Sequence, residues 1–165
     1  MPLFTYPPTP AIISDEVAAL VGASTVLSAN TVYLSAFELN APTVVLGVRW
    51  VMVATVTGTT NIGIYTMAGN LVSGSDTGAR TNVASSDNTF TYATPVLLSP
   101  GQYLMALAPS NSTDTYLERA VTSTGACRER RATNALAAGA LPATTGAFVI
   151  TGNFPAYALT IQGGL

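Results

Sequence analysis

From Thr31 onward, the chain is a succession of short β-rich runs separated by turn residues, and this pattern constrains the fold more than any other feature. The run "TVYLSAFEL" ends at "NAPT", and the longer run "TVVLGVRWVMVATV" follows it. Similar runs at "NIGIYT", "TFTYA", "PVLL" and "QYLMALA" are separated by segments that contain Gly, Pro, Ser or Asn. Short strands with turns of this kind are typical of an all-β sandwich or barrel.

Further strands are predicted at "TYLERAV", "AFVITG" and "PAYALTI". A total of about eight to ten strands favours a two-sheet jelly-roll β-sandwich. The segment "ATNALAAGALPATTG", directly before "AFVITG", is compatible with either a helical turn or a loop. The chain has 165 residues, which is enough for one hydrophobic core. We therefore predict one β-sandwich domain over residues 31–165.

The first thirty residues have a different character. The opening "MPLFTYPPTP" contains four prolines with Phe4 and Tyr6 between them, and this composition favours an extended arm. In "SDEVAALVGAS", Ser14 is placed to cap a short helix whose first turn carries two acidic residues. We predict that residues 1–30 form an N-terminal arm and one short helix. The arm either trails in solvent or lies across a neighbouring subunit.

The long apolar run at 43 to 56 is expected to be a strand with both faces covered. Successive side chains of a strand point to opposite faces, so alternate residues share a face. The predicted core face consists of Val44, Leu46, Val48, Trp50 and Met52.

Low charge is the main compositional signal. Only 8% of the residues are charged, against about a quarter in ordinary soluble domains, and 48% are apolar. Such a surface is either a neutral sandwich exterior or one that is covered by other subunits, because interface cores are depleted in charge. We favour assembly. The net charge of −2 and the six basic residues provide no broad basic surface for nucleic acid.

Neither a secretory signal nor a membrane span is expected. The amino terminus has no basic segment followed by a continuous apolar one, and the longest apolar run is too short for a span and contains Arg49. Cys127 is the single cysteine, so we interpret it as a structural thiol.

No recognisable catalytic arrangement is present, and we predict that the protein is not an enzyme. The chain has no His, which excludes a Ser-His-Asp triad. The acidic residues outside the predicted helix are scattered; they are Glu38, Asp76, Asp87, Asp114, Glu118 and Glu129. The loops "SGSDTG" and "NSTDT" offer oxygen ligands for calcium, but each has one carboxylate, so ordinary Asx and Ser turns are favoured. We expect neither a cofactor nor a metal.

Four of the six basic residues lie in the segment "RAVTSTGACRERR". They are Arg119, Arg128, Arg130 and Arg131. One interpretation is a solvated loop or strand edge that discourages strand pairing. The other is a docking patch, because arginine is favoured at interfaces and pairs well with carboxylates of a sister subunit or a larger particle.

The tyrosines in the predicted strands are the remaining binding signal. Tyr65, Tyr92, Tyr103 and Tyr116 would stack on sugar rings if a sheet face were open. More commonly, such tyrosines belong to the core or its rim, and we favour that interpretation for them and for Trp50.

Three stretches carry a resemblance to a known class of proteins. The runs "VYLSAFELNAPTVVLGVRWVM", "NIGIYTMAGNLV" and "TPVLLSPGQYLMALA" resemble the jelly-roll β-sandwich domains of virion proteins from tailed bacteriophages, over roughly residues 31 to 122. That class includes capsid decoration or cement proteins and tail-fibre or receptor-binding domains. The resemblance implies a sandwich fold and a place in the virion, reached by assembly in the host cytoplasm. Similar motifs occur in carbohydrate-binding modules.

Two functions follow as hypotheses. The first is a capsid decoration or cement subunit that forms a dimer or trimer, binds a capsid or tail protein, and uses Phe4, Tyr6 and the four arginines at its interfaces. The second is a recognition module, a tail-fibre tip, head fibre or carbohydrate-binding domain, in which loops 73–88 and 109–115 hold a host glycan or receptor. Its candidate ligand residues are Asp76, Asp87, Asn111 and Asp114. Neither hypothesis involves nucleic acid or a membrane.

Overall fold

The computed structural model describes residues 10–14, 24–54, 56–117, 130–134, 137–147, 149–150 and 157–162. Every regular element in these ranges is a β-strand, so the fold is all-β as predicted. The strands are β1 Pro10–Ser14, β2 Ser24–Val26, β3 Thr31–Leu39, β4 Thr43–Ala54, β5 Thr59–Thr66, β6 Arg80–Thr81, β7 Ser86–Leu98, β8 Gly101–Pro109, β9 Thr115–Leu117, β10 Arg130–Asn134, β11 Val149–Ile150 and β12 Tyr157–Gln162.

The strands form two antiparallel sheets of six strands each. Sheet B has the order β11-β10-β3-β8-β5-β6. Sheet A is arranged around β4, where Met52 pairs with Ser86 of β7 and with Tyr116 of β9. These two partners must lie on opposite edges of β4, so β7 occupies one edge, while β12 and β9 follow one another along the other. β1 pairs with β12, and β2 pairs with β9, beyond that second edge.

The main hydrophobic core lies between the two sheets, as expected for a β-sandwich. Sheet A contributes Val45, Val48, Trp50, Met52, Tyr92, Val96, Leu98, Tyr116 and Leu159. Sheet B contributes Tyr33, Phe37, Leu39, Ile62, Ile64, Met105 and Leu107. Several of these side chains are fully buried, and the burial of this apolar surface is the main force that holds the two sheets together.

A bulge in β4 changes which residues face the core. The pairing of β4 with β7 passes directly from Val45↔Val96 to Gly47↔Thr91, and a register shift in the pairing with β12 falls at the same place. Val45 is therefore buried, whereas Val44 and Leu46 are only half-buried. The predicted core face is confirmed after the bulge, at Val48, Trp50 and Met52, and is wrong before it. A β-bulge adds a residue to one strand and so reverses the alternation.

The outer face of sheet B is also covered, by the chain itself. A second cluster of buried side chains on β3, β5 and β8 consists of Val32, Leu34, Tyr65, Leu104, Ala106 and Ala108. Leu71 and Leu141, from the segments that follow β5 and β10, pack on this cluster. The Tyr65 hydroxyl donates a 2.6 Å hydrogen bond to the Pro142 carbonyl, and the Leu71 amide donates to the Ala143 carbonyl at 2.9 Å. These bonds hold the segment of residues 137–147, which is a loop, against the sheet.

The polar segment after β5 runs beside that strand rather than away from it. Ser75 Oγ accepts a hydrogen bond from the Ile64 amide, and Thr77 Oγ1 accepts one from the Ile62 amide, at 3.0 and 2.9 Å. The Thr77 amide returns a 2.9 Å bond to the Ile62 carbonyl. Ser75 and Thr77 are almost fully buried. The segment therefore takes the place of a neighbouring strand along part of β5.

Within the first thirty residues, two segments belong to sheet A. All five residues of β1 pair with β12, from Pro10↔Gln162 to Ser14↔Ala158, and the three residues of β2 pair with β9. The helix predicted after Ser14 falls on residues that lie outside the described ranges, as do Phe4 and Tyr6. In the described part of the chain, no helix has the length and hydropathy of a membrane span.

Candidate functional site

A group of buried polar side chains surrounds Asp114, just before β9. Asp114 has only 2% of its surface exposed, although it is a carboxylate. Its Oδ1 accepts hydrogen bonds from the Thr57 amide at 2.8 Å and from Asn111 Nδ2 at 2.9 Å. Its Oδ2 accepts hydrogen bonds from Asn82 Nδ2 at 2.7 Å and from the Gly58 amide at 3.2 Å. The carboxylate therefore joins three separate segments of the chain.

Asn82 extends these contacts into the core. Its Oδ1 accepts hydrogen bonds from the Trp50 indole at 3.0 Å and from Thr60 Oγ1 at 2.8 Å. Since Thr60 gives its only hydroxyl proton to Asn82, the Tyr116 hydroxyl must be the donor in its 2.7 Å contact with Thr60. We call Trp50, Thr60, Asn82, Asp114 and Tyr116 the buried polar network.

Ordinary strand geometry places these groups together. Trp50 and Tyr116 lie on adjacent strands of sheet A and point inward, while Thr60 is the second residue of β5 in sheet B. The turn that carries Asp114 is shaped by Asn111, whose Oδ1 accepts hydrogen bonds from the Asp114 amide at 2.9 Å and the Thr113 amide at 3.1 Å. This is an Asx-type turn. It aims the Asp114 carboxylate at the amides that precede β5.

The electrostatics of the network favour an ionised Asp114. Burial raises the pKa of its carboxyl group, but hydrogen bonds from the Thr57 amide, Asn111, Asn82 and the Gly58 amide together outweigh burial, and the pKa is lowered. Burial raises the pKa of the Tyr116 hydroxyl to about 12, and the nearby Asp114 charge acts in the same direction. Tyr116 is therefore neutral at physiological pH and acts as a hydrogen-bond donor.

The network is suited to holding loops in place rather than to chemistry. A general acid or base must reach a substrate, and both oxygens of Asp114 are buried and already accept bonds from protein donors. The same donors are unsuitable neighbours for a cation, which requires acceptor oxygens. No group of three or more His, Cys, Asp or Glu side chains capable of holding a metal occurs in the described ranges.

The structure brings together only two of the four candidate ligand residues. Asn111 and Asp114 share the hydrogen bond given above. The exposed Asp76 accepts a 2.7 Å bond from the Gly78 amide, which is an ordinary Asx turn as predicted. Asp87 lies at the start of β7 and forms an ion pair with Arg49 of β4. Each of the four therefore has a partner within the protein.

Two of the arginines predicted to form a docking patch lie in a strand that pairs with another strand on each side. Arg130 and Arg131 belong to β10, where they pair with Ser35 and Leu34 of β3, and Arg131 also pairs with Ile150 of β11. Arg119 and Arg128 lie outside the described residues, as does Cys127. The proposed role of these arginines at an interface stays a prediction.

The aromatic residues are in the core, as predicted. Trp50, Tyr65, Tyr92 and Tyr116 are all buried, so none of them offers an open face to a sugar ring. Their polar atoms bind other parts of the protein: the Tyr92 hydroxyl donates a 2.6 Å bond to the Ser75 carbonyl, for example. Tyr103 is half-buried, and its hydroxyl donates to the Ser99 carbonyl at 3.0 Å. The hydroxyl groups of Tyr92 and Tyr103 thus hold a loop and a turn against the sandwich through hydrogen bonds to backbone carbonyls.

Sheet A has an outer face that differs from that of sheet B. Among the described residues, its aliphatic side chains include Val26, Val44, Leu46, Val51, Val53 and Leu97. Leu97 is 69% exposed and Val26 is 53% exposed, while the other four are half-buried. Leu97 lies directly opposite Val44 in the ladder. In this region the charges of Arg49 and Asp87 neutralise one another. We call these six side chains the outer face of sheet A.

Sequence reasoning missed Asn82 and Thr60, which connect Asp114 to the core. Asn82 belongs to the loop predicted to bind a ligand, but nothing in its local sequence distinguishes it from the other polar residues there. The usable signal was Trp50, because a buried indole needs a hydrogen-bond acceptor.

Comparison of the chain with protein-family models, curated proteins and solved structures found no match.

Proposed function

We propose that the protein is a structural subunit that acts by assembly, with copies of itself and with a larger particle, and without catalysis. The outer face of sheet A is the observation that carries this proposal. Among the described residues it carries two exposed aliphatic side chains, four half-buried ones and a self-neutralising ion pair, whereas the corresponding face of sheet B is covered by the segments around Leu71 and Leu141. Contiguous exposed apolar surface marks interaction sites on soluble proteins, and Leu97 and Val44 are direct neighbours in the ladder.

Within this class, the resemblance of residues 31 to 122 to virion sandwiches favours a capsid decoration or cement subunit of a tailed bacteriophage. Such a subunit needs no reactive group. It binds the assembled shell in preference to its separate parts, and this preference stabilises the shell by mass action. The low fraction of charged residues supports a surface that is covered by other subunits in the assembled particle.

The alternative, a glycan-recognition module, draws less support from the described residues. Asn111 and Asp114 are committed to internal hydrogen bonds, and the buried aromatic side chains offer no stacking platform. Its test is a glycan array with the wild-type protein and Asp76→Ala. Reproducible binding that the variant reduces would favour recognition over assembly.

The proposal is tested by measuring the native mass of the protein at micromolar concentrations. We expect a dimer or trimer whose assembled fraction falls in Leu97→Asp, because that substitution places a charge in the outer face of sheet A. The matched control is Val83→Asp, since Val83 is 58% exposed but lies in the loop before β7. A wild-type protein that stays monomeric up to about 100 μM would contradict self-assembly, since specific complexes are commonly micromolar or tighter.

A further inference from the structure

The free edges of the two sheets differ in length. In the described part of the chain, sheet B ends in β6 and β11, which have two residues each. Sheet A ends on one side in β7, which has thirteen residues and pairs with β4 alone among the described strands. An edge strand carries backbone N–H and C=O groups that point away from the sheet and can pair with another strand. Among the described strands, β7 therefore has the longest edge without a partner strand.

The neighbouring edge of sheet B shows how this protein protects a strand. Ser75 and Thr77 bond with backbone groups of β5, and β6 pairs with Thr59 and Thr60. For β7, the described contacts with this region are made by side chains that point toward the core. They include the Tyr92 hydroxyl bond to Ser75 and the stacking of the Arg80 guanidinium over the Phe90 ring at 4.0 Å. The buried Asn88 side chain also accepts a hydrogen bond from the Val83 amide and donates one to the Val83 carbonyl, just after β6.

The protective features of β7 itself lie near its ends. Asp87 provides a charge near the start, while the register irregularity falls between Thr91 and Val96 and includes Pro95. Charges, prolines and bulges are the usual devices that prevent pairing at an edge. Between them, "NTFTYAT" at 88 to 94 contains neither a charge nor a proline and is rich in residues that favour strands. The ladder with β4 is regular from Ser86 to Thr91.

We propose that the free edge of β7 pairs antiparallel with β7 of a second copy of the protein, so that sheet A continues across a two-fold axis. This inference rests on the proposed function and specifies the interface for self-assembly. A two-fold axis sets the same segment of both chains against itself, which an antiparallel strand pair satisfies. The outer face of sheet A then becomes continuous between the two copies.

The charges and side chains of β7 fit a second copy as the occupant. The Asp87 charge is already balanced by Arg49 of the same molecule, so two copies approach without an excess of like charge along the strand. Thr89 and Thr91 are exposed and alternate with the inward Phe90. Threonine pairs across antiparallel strands are favourable, whereas like charges placed opposite each other are not.

The test is the double substitution Thr89→Lys and Thr91→Lys, which places like charges across the two-fold axis. We expect the dissociation constant of the dimer, measured by sedimentation or native mass spectrometry, to rise by about 100-fold or more. The matched control is Ser24→Lys with Thr81→Lys, which adds the same charge at exposed positions of the β2 and β6 edges. Thermal unfolding of both variants establishes that they are folded.

Hydrogen exchange of the wild-type protein separates edge pairing from packing through side chains. Edge pairing predicts that alternate amides between Asp87 and Ala93 exchange more slowly as the dimer fraction increases. A dimer that forms with no added protection there, or that survives the double substitution as well as it survives the control, would overturn the β7 interface while leaving self-assembly intact. A wild-type protein found only as a trimer would also overturn it, and one found only as a monomer would overturn both proposals.

Discussion

The Asp114 carboxylate accepts hydrogen bonds from two backbone amides and two side-chain amides, in a chain where few residues are charged. A buried charge is tolerated only when it is paired or hydrogen-bonded. Here the donors come from the segment before β5, from the segment after β6, and from the turn before β9. The Thr57 hydroxyl adds a longer bond to Oδ1 at 3.4 Å. Through these bonds, Asp114 stabilises the relative position of three loops.

Replacement of Asp114 by alanine is expected to lower the free energy of unfolding by about 3 kcal/mol, because it leaves buried donors without acceptors. Chemical denaturation at neutral pH measures this. The control is Asp76→Ala, which removes an exposed carboxylate with one turn bond, and we expect it to cost less than about 1 kcal/mol. Equal losses in the two variants would show that the network around Asp114 contributes nothing beyond an ordinary turn.

The lowered pKa of Asp114 makes a part of the stability dependent on pH. A carboxyl group whose pKa is lower in the folded protein than in the unfolded chain stabilises the fold fully above the unfolded value, and this contribution is lost as the pH falls toward the folded value. The ordinary value is 3.8, so the loss occurs below about pH 4.

Comparison of the wild-type protein with Asp114→Asn isolates this contribution. We expect the wild-type protein to be the more stable at pH 7, and the difference in the free energy of unfolding to shrink as the pH is lowered from 4 toward 2. Denaturation curves at several pH values measure the difference, in which the other carboxylates largely cancel. A difference that stays constant over this range would contradict the lowered pKa.

At the scale of the strands, Gly47 is the residue on which the β4 bulge depends. A Cβ atom added there would strike the Phe90 carbonyl of β7, which is backbone and cannot move without disturbing the ladder. Gly63 of β5 is a matched comparison, because a Cβ atom there would meet the ends of the Leu141 and Leu71 side chains. The two glycines lie in strands, yet only one is confined by backbone.

We expect Gly47→Ala to lower the free energy of unfolding by about 2 to 3 kcal/mol, in the range for overpacked sites, and Gly63→Ala to cost less. Urea denaturation of both variants measures the two losses. If Gly63→Ala proved the more costly, close approach of the β4 and β7 backbones would not be what requires glycine at position 47.

Most strands were predictable from the sequence, and the bulge was not. The strands β3, β5, β8 and β12 were predicted correctly, because side-chain alternation and turn residues are local properties of the sequence. The sequence predicts "TFTYA" and "PVLL" as separate runs, but they form one strand, β7, whose pairing with β4 is irregular between Thr91 and Val96. A bulge depends on the partner strand, so the alternation along β4 alone gave the wrong face before Gly47.

The buried polar network was predictable only in part, for a related reason. The Asn111 and Asp114 turn has a local sequence signature, and the sequence placed both residues in one loop. The bonds from Asn82 to Trp50 and Asp114 span 32 residues each. No spacing in the sequence reveals which of many polar loop residues will meet across the sandwich.

At the scale of the whole molecule, the two sheets have opposite relations to the rest of the chain. The outer face of sheet B is buried by the protein's own segments, and the edge of β5 is satisfied by the polar segment after it. Among the described residues, sheet A has the exposed Val26 and Leu97 on its outer face, and β7 pairs with β4 alone. In this part of the chain the two sheets therefore differ, since the one is covered by its own chain and the other carries the exposed side chains on which the proposed assembly rests.

The predicted arm provides the last test, and β1 determines where the chain should be cut. Since Pro10–Ser14 pairs along its whole length with β12, a truncation that ends within it would damage sheet A. Removal of residues 1–9 leaves β1 and its pairing with β12 intact, so we expect the truncated protein to keep a cooperative thermal unfolding transition, which calorimetry measures. If the arm lies across a neighbour, the assembled fraction at a fixed concentration falls.

Phe4→Ser with Tyr6→Ser is the companion variant, because it keeps the length and the prolines of the arm and removes its two aromatic side chains. Native mass spectrometry of both variants beside the wild-type protein measures the assembled fraction. A loss in both indicates that the aromatic side chains bind the neighbour, and a loss only on truncation indicates that the backbone or the prolines do. An unchanged assembled fraction in the truncated protein would show that self-assembly depends on the sandwich alone, and that the arm has no part in it.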